Sequence, residues 1–141
     1  MKYLRFVAFG LGLLFTALTL QAQEIRAAAN IPFDFVVQGR TLPADHYTVR
    51  PIGSGGGETE LFQNDDGSVV LMVLMQSCRS KEAAEKSKLV FHRLGDNYFL
   101  SEIWIAGRET GRRLPTSREE IQLAMNQKSQ EVVIYAALTP R

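Results

Sequence analysis

The residues able to cut, transfer or coordinate are few. His46 and His92 are the only two histidines, and Cys78 is the only cysteine. With Asp34, Asp45 or Asp96, the histidines supply ligand types that suit a metal. Zinc sites usually bring their ligands as closely spaced pairs, and no such pair occurs here. Two histidines on separate strands could still meet in space, so a metal-dependent reading stays open on geometry alone. Serine, histidine and aspartate are all present for nucleophilic catalysis, but no strand–turn–helix elbow surrounds any serine. Cys78 cannot form an internal disulfide. It is either an intermolecular bridge or reactive thiol, or a partly buried small side chain at a strand end, and no histidine neighbours it to stabilise a thiolate.

Two loops resemble ligand loops without completing a motif. Gly53-Ser54-Gly55-Gly56-Gly57 has the glycines of a phosphate cradle, but no helix pattern follows and Gly-Lys-Ser/Thr is absent. It reads as a flexible hairpin loop. Asn64-Asp65-Asp66-Gly67 has oxygen donors, yet Ser68 interrupts the alternation a calcium loop needs and no closing glutamate follows. It reads as a hairpin turn. No cofactor motif is present.

Binding offers more. In Tyr98-Phe99-Leu100-Ser101-Glu102-Ile103-Trp104-Ile105, strict alternation puts Tyr98, Leu100, Glu102 and Trp104 on one side of a strand. An unpaired carboxylate is expensive to bury, so Glu102 among aromatics has two readings. Tyr98 and Trp104 line a groove in which Glu102 orients a sugar or other polar ligand, or Trp104 packs under a helix while Glu102 pairs with an arginine. Arg108, Arg112, Arg113 and Arg118 are dense enough to hold an anionic group. The alternative is a solvated loop balanced by Glu109, Glu119 and Glu120.

The elements that would position these side chains are strands and turns. After a lead over 23–30, Ile31 to Val37 alternates, with Pro32 confining it to a sheet edge or to pairing that begins after the proline. His46–Ile52 is a strand with Tyr47 and Val49 facing one way and His46, Thr48 and Arg50 the other, and Thr59–Gln63 is another. Val69–Met75 is continuously apolar, which predicts a central strand covered on both faces. Gln76–Ser87 reads as a solvated connection. Lys88–Leu94 and Tyr98–Ala106 form a hairpin around Gly95-Asp96-Asn97. Ser117 and Glu120 make a capping box for a helix whose stripe Ile121, Ala124 and Met125 should lie on a sheet. Val132–Leu138 is a last strand. The expectation is an all-β antiparallel sandwich or small barrel of about seven strands, with one helix near the carboxyl end.

The first residues form a secretory leader. Lys2 and Arg5 precede the uncharged run Phe6–Leu20, and Gln21-Ala22-Gln23 begins a polar composition. The run is shorter than the roughly 20 apolar residues of a membrane span. The expected organisation is therefore a signal peptide over 1–22 and a single β domain over 23–141, with no membrane span after leader removal. The whole chain carries 16 basic and 15 acidic residues, and losing Lys2 and Arg5 takes its net charge from +1 to −1. A near-neutral domain lacks the basic excess that nucleic acid requires.

Two segments carry a resemblance. One is Ile31-Pro32-Phe33-Asp34-Phe35-Val36-Val37 with Gly39, Leu42-Pro43-Ala44 and Tyr47-Thr48-Val49. The other is Ser87-Lys88-Leu89-Val90-Phe91-His92-Arg93, Gly95-Asp96, Tyr98-Phe99-Leu100, Trp104, Gly107, Gly111 and Leu114-Pro115-x-Ser117. Together they resemble a group of small exported bacterial proteins of unknown function, which implies export and a β domain and assigns no activity. Leu-Pro-Ala-x-x-Tyr-Thr-Val also resembles the turn leading into a strand of prealbumin-like adhesin and surface-protein modules, which commonly carry glycine where this chain has Asp45. The function expected is a non-enzymatic secreted or envelope protein, periplasmic or extracellular, binding an unknown ligand or an envelope partner. The alternatives are a small hydrolase or metal-dependent enzyme using His46 or His92, and a structural module of an envelope assembly.

Overall fold

The computed structural model describes residues 26–53 and 58–139; the leader expected over 1–22 and most of the glycine-rich loop lie outside the described residues. The strands are β1 (Arg26–Ile31), β2 (Phe35–Val37), β3 (Arg40–Leu42), β4 (Asp45–Ile52), β5 (Thr59–Asn64), β6 (Val70–Leu74), β7 (Gln76–Arg79), β8 (Lys88–Leu94), β9 (Asn97–Trp104) and β10 (Thr110–Arg113). The helix α1 (Arg118–Asn126) follows, then β11 (Gln130–Tyr135) and β12 (Ala137–Thr139). One sheet has the order β12-β1-β4-β5-β6, and the other runs β11-β8-β9-β10-β7, with β2 joined to β9 and β3 to β2. The pairing of β2 with β9 is parallel at Val36 and Phe99. Among the described residues neither sheet closes on itself, so the fold is an all-β sandwich and not a barrel.

Alternation within the strands builds one core between the sheets. Ala29, Ile31, Tyr47, Val49, Phe62, Leu71 and Val73 come from the first sheet. Phe35, Val37, Leu42, Leu89, Phe91, Leu100 and Ile103 come from the second. Phe35 meets Tyr47 and Phe91 edge-to-face at 5.3 and 5.5 Å. Each such buried ring contributes about 1.5–3 kcal/mol by leaving water. The Tyr47 hydroxyl donates to the Pro43 carbonyl at 2.8 Å, which satisfies the polar end of a buried ring.

Among the described residues the strands number twelve where the sequence predicts about seven: the runs Ile31–Val37 and Val132–Leu138 each divide between two strands, and β3, β7 and β10 form in stretches that read as a turn, a connection and a loop. Ile31–Val37 breaks at Pro32, and the residues ahead of it, expected as a lead, form β1 between β12 and β4. Val69–Met75 is an edge strand and not a central one: Leu71 and Val73 point inward, while Val70, Met72 and Leu74 stand exposed. After Met75 the chain passes to the second sheet, so Gln76–Arg79 is β7 and not part of a solvated connection. The last run likewise changes sheet at Ala136, whose N–H donates to the Ser87 carbonyl at 2.8 Å.

Ser117 caps α1 as its sequence predicts, accepting the Glu120 N–H at 3.1 Å, and Glu119 and Glu120 sit at the positive end of the helix dipole. The stripe expected to lie on the sheet does not. Glu120 is the buried residue of the helix, its carboxylate 2.8 Å from Nδ1 of His92, while Ile121 and Met125 are exposed. No helix among the described residues is long and apolar enough to cross a membrane.

Candidate functional site

A β-bulge decides which side chains of β9 share a face. Val90 pairs with Glu102 but Phe91 pairs with Leu100, leaving Ser101 as an extra residue on β9. Leu100 and Ile103 therefore both reach the core, although they are three residues apart. Glu102 and Trp104 point to the outer face of the sheet. Tyr98 stays on the core side of the bulge, stacked on Phe33 with ring centroids 3.8 Å apart, and Arg93 lies 5.5 Å from its ring. The structure brings Glu102 and Trp104 together and leaves Tyr98 apart from them.

Ladder pairing then builds two rows across that outer face. Tyr135 of β11 stands beside Lys88, and Lys88 beside Trp104. The indole lies over Gly111, which pairs with Cys78. In the next row, Val133 pairs with Val90, Val90 with Glu102, Glu102 with Arg113 and Arg113 with Gln76. Glu102 ties the rows together. Its Oε2 accepts the indole N–H of Trp104 at 2.7 Å, and its Oε1 accepts from Arg113 Nε at 2.9 Å and Nη2 at 2.8 Å. A carboxylate offers about four acceptor positions, so three donors leave one for a ligand.

The segment between β7 and β8 forms a wall above the rows. Ser80 N–H donates to the Glu109 carbonyl, Ala84 N–H to the Arg108 carbonyl, and Gly107 N–H back to the Ala84 carbonyl. The Ser87 hydroxyl accepts the Ala106 N–H at 2.9 Å. These bonds hold a cleft of about 490 Å³ whose lining includes Trp104, Tyr135, Glu102, Lys88, Lys86 and Glu82. That volume lies within the range of small-molecule sites. Lys86 Nζ stands 5.4 Å from the centre of the Tyr135 ring. Charges of both signs line the cleft, so it favours a neutral polar molecule over a strongly charged one.

The arginines expected as an anion site are divided by strand alternation. Arg112 points inward, where its Nε is 3.5 Å from Glu60 of the opposite sheet. Burial pushes the Glu60 carboxyl above its ordinary value, and the facing Arg112 pulls the other way without cancelling it. Arg113 points outward to Glu102, whose carboxylate raises the guanidinium pKa further. Arg108 is exposed in the turn after β9. The structure does not bring Arg108, Arg112 and Arg113 to one point.

The histidines lie on different sheets. His46 of β4 has Nδ1 2.7 Å from Asp65, and His92 of β8 has Nδ1 2.8 Å from Glu120. Among the described residues no three His, Cys, Asp or Glu side chains gather to hold a metal ion. Cys78 is half-buried, and burial with the nearby Glu102 pushes its thiol pKa up, away from thiolate chemistry.

Tyr135, Lys86 and Lys88 escape sequence reasoning because strand pairing, not spacing, brings them to Trp104. The turn-poor, mixed-charge stretch after β7 gives no local sign that it folds back over the sheet. Against protein-family models, curated proteins and solved structures alike, the chain finds no match.

Proposed function

We propose that this chain is a non-enzymatic binding module, exported to the periplasm or beyond, whose ligand site is the cleft over Trp104, Glu102, Lys88 and Tyr135. The ligand class is a neutral, hydroxyl-rich molecule such as a saccharide. The observation that carries this reading is the Glu102 carboxylate, fixed at the foot of the cleft by three donors and retaining one acceptor position. A ligand hydroxyl can donate there, and the Lys88 ammonium can donate to a ligand oxygen. The aromatic surfaces of Trp104 and Tyr135 suit the apolar patches of a sugar ring. Export is supported by the leader pattern from Met1 to Ala22.

Trp104 is the only tryptophan, so its fluorescence reports on the cleft without labelling. Titration with a panel of neutral oligosaccharides should shift or quench the emission saturably, and Tyr135→Ala should weaken that response without unfolding the protein. Emission unmoved by every saccharide, with binding of those sugars also absent by calorimetry, would reject the assignment.

A further inference from the structure

The sandwich has an open sheet edge of unusual composition. Edge strands are normally blunted by charge, proline or shortness, since their free N–H and C=O groups invite pairing. Among the other edges, β3 carries Arg40, β7 carries Arg79, β11 carries Glu131, and β12 has only three residues. By contrast β6 runs Val-Leu-Met-Val-Leu, and no charge occurs from Ser68 to Cys78. Asn64 N–H donates to Val69 O and Met75 N–H to Glu58 O, so the odd-numbered residues turn their backbone groups to β5. Val70, Met72 and Leu74 therefore turn theirs to the open edge. Their side chains are 56%, 66% and 60% exposed.

We propose that two copies of the chain join by antiparallel pairing of their β6 strands about a two-fold axis at Met72, merging the two five-stranded sheets into one. In this register Met72 faces Met72 of the second copy, and Val70 faces Leu74. Each residue with edge-directed backbone groups meets another, giving about six backbone hydrogen bonds. The apolar side chains form matched cross-strand pairs, and no like charges are opposed. A two-fold interface requires such self-complementarity.

Charge at the two ends of the strand favours the same arrangement. The turn before β6 holds exposed Asp65 and Asp66. At the other end, Gln38 Nε2 donates to the edge-facing Leu74 carbonyl at 3.2 Å, which places the turn leading to exposed Arg40 on the open side. Antiparallel pairing carries the acidic end of one copy toward the basic end of the other. The Leu74 carbonyl retains a second lone pair for the partner strand. The contact is narrower than the roughly 800 Å² per partner of a standard stable interface, so the dimer should be weak and concentration-dependent.

Sedimentation of the protein as recovered from the cell should show a monomer–dimer equilibrium, and Met72→Lys should weaken it by about tenfold or more through two opposed ammonium groups. Because Met72 is exposed, that variant should keep the unfolding midpoint of the parent. In a Cys78→Ser background, Met72→Cys should cross-link to a covalent dimer on mild oxidation, since paired Cα atoms about 5.5 Å apart suit a disulfide. Val70→Cys should not, being four residues from its own copy. A monomer persisting to about 1 mM, a concentration that would reveal even a millimolar dimer, would overturn the proposal. So would a dimer indifferent to Met72→Lys, or equal cross-linking at positions 70 and 72. Recovery as a complex with a different protein, lost in Met72→Lys, would overturn the assignment of a second copy as the occupant.

Discussion

Trp104 rests on Gly111 so closely that a methyl group there would lie 2.7 Å from Cδ2 and Cε3 of the indole and 2.9 Å from the Ile103 carbonyl oxygen. The ring could swing aside, but the backbone carbonyl could not. The glycine is needed for room, since no left-handed backbone is involved at this position. Gly111→Ala should therefore destabilise the protein by about 1–3 kcal/mol, as overpacking does, and should loosen the indole from Glu102. Urea unfolding followed at the Trp104 emission checks both effects. Unchanged stability with an unchanged emission maximum would contradict the close packing.

Glu60 and Arg112 span the two sheets, and the burial-raised Glu60 carboxyl gives stability a defined pH dependence. Between the ordinary glutamate value and the raised folded value, the folded state binds more protons than the unfolded chain. Stability should therefore fall as pH rises through that window. Glu60→Gln should remove this slope while keeping a hydrogen-bond acceptor near Arg112. The test is the urea midpoint of both proteins across the acidic to neutral range; parallel profiles would show that Glu60 does not titrate as described.

Cys78 should react sluggishly. Its thiol is pushed up by burial and by Glu102, so alkylation in the folded protein should require a more alkaline pH than in the urea-unfolded chain. Rates of iodoacetamide labelling across pH, folded against unfolded, measure this directly. Equal rates at neutral pH would mean the thiol is neither shielded nor raised. Cys78→Ser should also leave the band pattern on non-reducing gels unchanged.

The leader can be tested apart from the domain. A fusion of Met1–Gln23 to a reporter active only outside the cytoplasm should be exported and processed near Ala22. Retention of an unprocessed, inactive reporter would remove the basis for the periplasmic or extracellular assignment.

What the sequence discloses here is local. The β8–β9 hairpin follows from Gly95, which takes the positive φ of 62° its turn requires, and from the β-branched and aromatic flanks. Ser117 announces its helix because a cap acts over three residues. Long-range pairing is another matter. A continuous apolar run such as Val69–Met75 looks the same whether its second face is covered by the protein or left exposed. The bulge at Ser101 leaves no mark in composition, yet it separates Tyr98 from Glu102 and Trp104 and so determines which residues line the cleft. The helix stripe misleads for a related reason: the sheet beneath it offers His92, and Glu120 turns inward to meet it in place of Ile121 and Met125.

The first described strand is completed by the last. Thr139 Oγ1 lies within hydrogen-bond distance of the Arg26 carbonyl 113 residues earlier, and β12 covers the side of β1 that β4 does not. As the chain is synthesised, β1 waits through every other strand with one flank unmatched. Closure over such a separation is entropically unfavourable and slow, so acquisition of the finished sandwich is postponed until β12 has been made. A ribosome-bound or truncated product that stops before Ala137 would keep that flank of β1 open to pairing with another strand.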